Sequence, residues 1–363
     1  MPGLDRGNAF SHIATPGRDD MARVSVIGGG AFGTAMACVL RRRGHEIALW
    51  AREAEVVEAI NRERENTVFL RGVKLPEGIV ASSDLATVTD GALFVLLVPP
   101  AQHMRAVTGQ LRPSLRAGTP VISCSKGLER GTCALMSQVL AETLPGAPVG
   151  VLSGPSFASE IAADQPTAVT LACADPALGQ QLEAHLGGPR FGVYLTDDLV
   201  GAQLGGLMKN VLAIACGMVT GRRLGNSMRA TLVARGLAET VDLGLALEAR
   251  LETFLGLSGI GDIDLSCNSP QSRNMSLGIA LGEGRRLVDV LGERITVHEG
   301  VHSAGAVVAL AARLGVDMPI TAMIDRILSH GADPNREIDR LQALPFGIER
   351  TVVPWYRRGS TAT

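Results

Sequence analysis

Lys126 and Lys209 are the residues best suited to chemistry in this chain, because lysine is nearly absent from it: three lysines stand against thirty-one arginines. Arginine keeps its proton in any protein site, whereas a desolvated lysine amine can shed one near neutral pH. A lysine retained in so arginine-rich a chain therefore suits proton transfer. Both lie among small or apolar neighbours, in Ser125-Lys126-Gly127 and in Gly205-Gly206-Leu207-Met208-Lys209-Asn210, not in charged surface runs. The third, Lys74, stands near Pro76 and Gly78 and reads as an ordinary loop lysine. Further on, Gly259-Ile260-Gly261-Asp262 puts a carboxylate among glycines, and Ser272-Arg273-Asn274 offers a hydroxyl, a guanidinium fork and an amide. Such a set can grip a small phosphorylated anion, the fork supplying two parallel N–H donors. Each of these segments taken alone is also ordinary turn chemistry.

The elements that must position these groups begin at Arg23. A β-branched run, Arg23 to Ile27, leads into Gly28-Gly29-Gly30-Ala31-Phe32-Gly33, then an alanine-rich amphipathic stretch to about Arg43, then a second apolar run from Ile47 to Trp50. Strand, glycine turn, helix and strand within about 30 residues is the context that gives a GxGxxG match its meaning, dinucleotide binding. Gly28 permits the tight turn, Gly30 lets the backbone approach a pyrophosphate, and Gly33 lets helix and strand pack closely. The pyrophosphate would rest on the helix N-terminus, where unspent N–H groups and the helix dipole favour an anion. At the end of the second strand Arg52 holds the place that selects between nicotinamides and favours the 2′-phosphate of NADP. Glu53, one residue on, leaves NAD open.

Apolar strands keep alternating with helices through Leu93–Val98, Val121–Ser125 and Val149–Ser153, which argues for a doubly wound, mostly parallel sheet. After Tyr194 the texture becomes helical, with helices expected over Asp198–Val219, Thr231–Leu247 and Ala304–Leu314, and Thr196-Asp197 as cap candidates. The expected fold class is therefore α/β plus all-α, a Rossmann-type domain over 21–196 followed by a helical substrate domain over 197–330. Residues 1–20 read as a loose extension without an apolar leader core, and 331–363 as a tail or a contact segment, its role open.

Composition removes several function classes. Thirty-four basic residues against thirty-six acidic ones create no field for nucleic acid or an anionic membrane, and the few aromatics give no base-stacking platform. No uninterrupted apolar run is long enough to span a bilayer. The six cysteines, at 38, 124, 133, 173, 216 and 267, form no Cys-x-x-Cys pair, and most sit among small apolar residues, as buried reduced thiols of a cytosolic protein do. Neither they nor the dispersed histidines have the spacing of a metal site.

Read together, these blocks resemble the bacterial NAD(P)-dependent glycerol-3-phosphate dehydrogenases. The likeness covers about residues 23 to 330, through the glycine loop, Ser125-Lys126-Gly127-Leu128-Glu129, Ser153-Gly154-Pro155-Ser156-Phe157-Ala158-Ser159-Glu160, Leu204–Asn210, Arg235-Gly236-Leu237-Ala238-Glu239, Gly259–Asp262, Gln271–Asn274 and Glu299-Gly300. The resemblance implies that Lys209 is the proton acceptor and that Lys126 touches both substrate and nicotinamide, with Asp262 beside them. Gly154, Ser156, Asn210, Asp262, Ser272, Arg273 and Asn274 fall at substrate positions. Ala31, Phe32, Arg52, Ala158, Val297 and Glu299 fall on the cofactor side, with Arg273 reaching both ligands. It further implies a cleft between the two domains, supply of glycerol 3-phosphate for phospholipid synthesis in the cytoplasm, and a homodimer. Three positions depart from the family: Ala31 where serine is common, Pro100 after Pro99, and the bulky Met228. Two other readings remain, a hydroxy-acid or acyl-CoA dehydrogenase of the same architecture and a nucleotide sensor without turnover. The first lacks a histidine in a comparable motif, since His298 stands outside these blocks. The second leaves both lysines, Asp262 and Arg273 without a purpose.

Overall fold

The computed structural model describes residues 21–292 and 299–343. The 1–20 extension, Val297, His298 and the chain beyond residue 343 lie outside the described residues.

Eight strands form one sheet: β1 Arg23–Ile27, β2 Glu46–Trp50, β3 Ile79–Ser82, β4 Phe94–Leu97, β5 Val121–Ser123, β6 Val149–Ser153, β7 Thr167–Cys173 and β8 Phe191–Thr196, in the order β3-β2-β1-β4-β5-β6-β7-β8. All neighbouring pairs are parallel except β6 and β7. β1, β4 and β5 are buried almost without interruption, as strands covered by helices on both faces must be. The chain turns to opposite sides of the sheet after β1 and β4, and ligands on such sheets lie in the crevice beyond the carboxyl ends at that point. The glycine loop is there, with Gly28 at φ +133°, a conformation that favours glycine, and with the Val98 carbonyl 2.9 Å from where a side chain would begin.

The second domain is built around one helix, Leu199–Gly221. By length and a mean hydropathy of 1.4 over its most apolar window it could cross a bilayer, although no uninterrupted apolar run marks it in the sequence; 83% of that window is buried inside the protein, so the helix forms a core. Its start differs from the expected Thr196-Asp197 cap: Asp198 is the cap, its Oδ1 accepting from Gly201 N at 2.8 Å. Burying Leu212, Ile214 and Met218 on this helix contributes roughly 1.5–3 kcal/mol each. The helix Arg273–Gly282 crosses it at a glycine-to-glycine seam. A Cβ on Gly217 would lie 2.1 Å from Met275 O, and one on Gly278 would lie 2.1 Å from Ile214 O. Gly221 and Gly282 repeat the arrangement one turn on, at 2.3 Å each. With no side chain on either surface, the two backbones approach directly.

Beyond residue 330 the described chain packs on the helical domain. Pro334–Gln342 is a helix capped by Asp333, and its Ile338 and Leu341 are buried in the second domain's core. Its apolar content is confined to one narrow stripe among charges, so its amphipathic period does not stand out in the sequence.

Candidate active site

The dinucleotide loop fits a bound pyrophosphate. The helix Ala31–Arg42 begins at Gly30 with no side-chain cap, so the first-turn N–H groups remain available to an anion. A Cβ on Gly30 would meet nothing within 4 Å, whereas one on Gly33 would fall 1.9 Å from Gly28 O. One glycine leaves space open and the other closes the turn. Asn66, fully buried, braces the loop: its Nδ2 donates to Gly29 O and Thr34 Oγ1, both at 2.8 Å, and its Oδ1 accepts from Phe69 N at 2.9 Å. Sequence reasoning missed this residue, since an asparagine in a loop carries no signal of its role. Phe32 packs on the nucleotide domain's core, as does Ala158 at the start of the helix Ala158–Ala162. Arg52 is exposed at the end of β2 and donates to Glu53 Oε1 at 2.8 Å, so the two residues that bear on cofactor choice are paired with each other.

Lys126, Lys209 and Asp262 come together across the seam between the domains. Lys126 follows β5, Lys209 lies on the central helix, and Asp262 opens the helix Asp262–Asn268. Asp262 is fully buried, and each of its oxygens takes a different amine: Lys209 Nζ donates to Oδ1 at 2.7 Å, and Lys126 Nζ donates to Oδ2. Lys126 Nζ also donates to Gly154 O at 3.1 Å. Lys209 stands among apolar neighbours in the sequence, and its carboxylate partner lies 53 residues away along the chain. Burial pushes the Lys126 amine down to about 8; the Asp262 carboxylate opposes that shift and the Lys209 ammonium adds to it. Two cations on one anion leave a net positive centre, suited to a phosphorylated substrate or a developing alkoxide. Lys74 is exposed, with Nζ donating to Glu63 O at 2.5 Å, and takes no part.

Close backbone contact holds this centre in place. A Cβ on Gly205 would lie 2.1 Å from Ser258 O, and one on Gly206 would lie 2.5 Å from Ser153 Oγ. The central helix can therefore reach both the turn before Asp262 and the end of β6. Asn210 Nδ2 donates to Lys126 O at 3.3 Å, and Asn274 Nδ2 donates to Asn210 Oδ1 at 2.9 Å. Asn274 Oδ1 is buried without a hydrogen-bond partner among the described residues. Ser156 Oγ donates to Gly154 O at 2.8 Å, and Ser272 Oγ accepts from Met275 N at 3.3 Å, capping the helix that Arg273 begins. Arg273 is exposed at that helix start. Val297 and the side chain of Glu299 lie outside the described residues. Gln203 is a seam residue that the sequence did not reveal, its Oε1 accepting from Ser137 N and its Nε2 donating to Ser137 Oγ, both at 2.9 Å. Glu239 acts away from this centre. Buried, it accepts from Ile320 N at 2.7 Å and Thr321 N at 3.2 Å, capping the helix Pro319–His330 from another element.

Two matches decide the family. Residues 23–179 match the N-terminus of NAD-dependent glycerol-3-phosphate dehydrogenase, and residues 198–339 match its C-terminus. The chain belongs to the NAD-dependent glycerol-3-phosphate dehydrogenase family. The match through residue 339 also takes in most of the helix Pro334–Gln342, which the sequence alone presents as tail. A protein of Parvibaculum lavamentivorans named as an NAD(P)+ glycerol-3-phosphate dehydrogenase is 51% identical over 327 residues, covering 90% of this chain and 98% of its own. A Rhodospirillum rubrum protein of the same name is 53% identical over 326 residues, 90% and 93% of the two chains. Among solved structures, glycerol-3-phosphate dehydrogenase from Coxiella burnetii superimposes with a TM-score of 0.86 at 36% identity, covering 89% of this chain and 99% of its own.

Proposed function

We propose that the protein interconverts sn-glycerol 3-phosphate and dihydroxyacetone phosphate with NADP or NAD, supplying glycerol 3-phosphate for phospholipid synthesis in the cytoplasm. The observation that carries this reading is the buried Asp262 carboxylate shared by one lysine from each domain, beyond a glycine loop open to a dinucleotide. When bound, the nicotinamide supplies the acceptor or donor of hydride for C2 of the substrate.

The chain's own groups handle the proton and the charge. In the oxidation direction a neutral Lys209 takes the proton of the C2 hydroxyl; in the reduction direction its ammonium polarises the ketone and returns that proton. Lys126 stabilises negative charge on the same oxygen and borders the cofactor. Asp262 orients both amines and balances them. Arg273 and Asn274 grip the phosphate, assisted by Ser272, Ser156, Gly154 and Asn210, which fixes the carbon skeleton for reaction. Gly28, Gly30, Ala31 and Gly33 present backbone to the pyrophosphate, Phe32 and Ala158 wall the cofactor, and Arg52 meets a 2′-phosphate. Val297 and Glu299 are carried on the cofactor side by the family likeness alone.

The test is nicotinamide absorbance with dihydroxyacetone phosphate and either NADPH or NADH. Substrate-dependent oxidation of one or both is expected, NADPH faster. Tight binding of either without turnover would remove the dehydrogenase reading.

A further inference from the structure

Lys126 stands in a loop between β5 and a short hairpin closed by a bridge between Leu128 and Leu135. A loop of this kind does not fix a side chain by itself, so the lysine must be aimed from outside. One segment, residues 99–105, supplies bonds on both sides of it. Ahead of the lysine, Ser125 Oγ donates to Pro99 O. Behind it, Gln102 uses both ends of its amide: Nε2 donates to Leu128 O at 2.7 Å, and Oε1 accepts from Arg130 N at 3.0 Å. Arg105, one turn on, takes the residue between them, its Nε and Nη2 donating to the two Glu129 carboxylate oxygens at 2.7 and 2.9 Å. Thr132 Oγ1 donates to the same carboxylate at 2.7 Å and folds the hairpin onto it. Three consecutive residues, 128 to 130, are therefore gripped, two by backbone and one by side chain.

The gripping segment is stiff, and it starts against the dinucleotide loop. A Cβ on Gly28 would lie 2.9 Å from Val98 O and 3.3 Å from Pro99 N. Pro99 and Pro100 restrict two successive φ angles. Pro100, one of the positions that depart from the family, begins the turn Ala101–His103 and accepts from His103 N at 2.8 Å. The helix Met104–Leu111 follows and carries Arg105, whose Nη2 also meets Glu142 Oε2 at 2.7 Å on the helix Met136–Thr143. On its other side the loop leans on the helical domain. The Leu128 side chain is fully buried in one cluster with Leu204, Leu207 and Met208, just before Lys209 on the central helix. The Lys126 amine therefore reaches Asp262 from a loop whose apolar side rests on one domain and whose polar side is bonded by the other.

We propose that Gln102 and Arg105 are positioning residues for the reaction: by gripping Leu128, Glu129 and Arg130 they hold the Lys126 loop so that its amine stays on the buried Asp262 carboxylate. What Lys126 does there rests on the dehydrogenase reading; that these two residues place it does not. Neither touches substrate or cofactor in this account, and both act through the loop.

The experiment labels lysine with carbon-13 at Cε and follows the Lys126 signal through a pH titration of the full chain. Three lysines give three such signals, and Lys126→Arg identifies the one to follow. Gln102→Met keeps the length of the side chain and loses both bonds. In it the Lys126 midpoint should rise by roughly one pH unit or more, because an amine released from burial returns toward the ordinary lysine value. Glu129→Gln weakens the Arg105 grip and should move the midpoint the same way by a smaller step; it decides alone if Gln102→Met fails to fold. The pH limb of kcat/KM for dihydroxyacetone phosphate should move up with the midpoint, and its plateau should fall about tenfold or more in Gln102→Met. The control is Asn61→Ala. Asn61 makes the same kind of amide bridge to backbone elsewhere in the nucleotide domain, to Ala81 O at 2.9 Å and from Ala81 N at 2.8 Å, so its loss should leave the Lys126 signal in place. A midpoint unmoved in the folded variants, or moved as far in Asn61→Ala, would overturn the proposal. The lysine signal needs no turnover. A moved midpoint in a protein that never oxidises NADPH would sustain the positioning role and remove the dehydrogenase reading, and an unmoved one beside normal turnover would do the opposite.

Discussion

Gly30 of the nucleotide domain and the seam glycines of the helical domain serve opposite ends. In the nucleotide domain Gly30 leaves a space that no described residue fills within 4 Å of where a Cβ would stand. In the helical domain Gly205, Gly217 and Gly278 leave spaces that neighbouring backbone fills, with carbonyl oxygens 2.1 Å from where a Cβ would stand. The same contrast runs through the two lysines. Lys126 comes from a loop at the end of a strand, while Lys209 is fixed on a helix whose neighbours are locked by glycine contacts. The sheet half exposes backbone to its ligand, the helical half spends backbone proximity on rigidity, and Asp262 is where they meet. A site assembled from one loop-borne and one helix-borne partner holds its geometry only while both domains are docked.

The largest expected effect tests the fixed partner. Lys209→Arg should fold normally and lose about 10²- to 10⁴-fold in kcat, because arginine keeps the charge and cannot pass the proton. Turnover near wild type would move the proton to another group. Next comes the glycine contrast itself. Gly278→Ala should lower stability by about 1–3 kcal/mol in a denaturant titration, since the extra carbon meets backbone that cannot move aside. Gly30→Ala should leave stability nearly unchanged and weaken NADPH binding, measured by fluorescence; equal destabilisation by both would erase the distinction.

The loop-borne partner is read by pH. With its amine pushed down to about 8, Lys126 is protonated below that value in the free enzyme and neutral above it. In the reduction direction kcat/KM for dihydroxyacetone phosphate should therefore fall as pH rises through about 8, the anionic substrate losing a positive partner. Lys126→Arg should be slower yet lack that limb, and an unchanged limb would assign it elsewhere. The smallest effect belongs to the surface: Arg52→Gln should reduce the preference for NADPH over NADH by roughly tenfold or less, because an exposed charge pair is screened by solvent and salt. An unaltered ratio would take Arg52 out of cofactor choice.

The sequence reveals the two halves unequally, for a physical reason. The glycine loop is local: strand, turn and helix occupy one continuous stretch, so spacing alone points to its use. The site lysines stand out by rarity, and Asp262 by its glycine neighbours. What spacing could not supply was that Asp262 is shared, because its partners lie 136 and 53 residues away and only packing brings them to one carboxylate. Asn66 and Gln203 are silent in the sequence on the same ground, each acting through bonds to distant backbone. The cap moves from Thr196-Asp197 to Asp198 because Asp198 also accepts from Arg250 N at 2.9 Å and Thr253 Oγ1 at 2.7 Å, a tertiary network overriding local preference. The helix Pro334–Gln342 is not legible in the sequence because its buried apolar residues are only Ile338 and Leu341, beside the buried Glu337, within a charged segment.

Asp262→Asn tests the central claim most directly, in a paired measurement of NADPH affinity and of turnover with dihydroxyacetone phosphate. If one buried carboxylate aligns an amine from each domain, the variant should bind NADPH as the wild type does and lose turnover by about 10²-fold or more. Turnover within a few fold of wild type, with cofactor binding intact, would contradict the account.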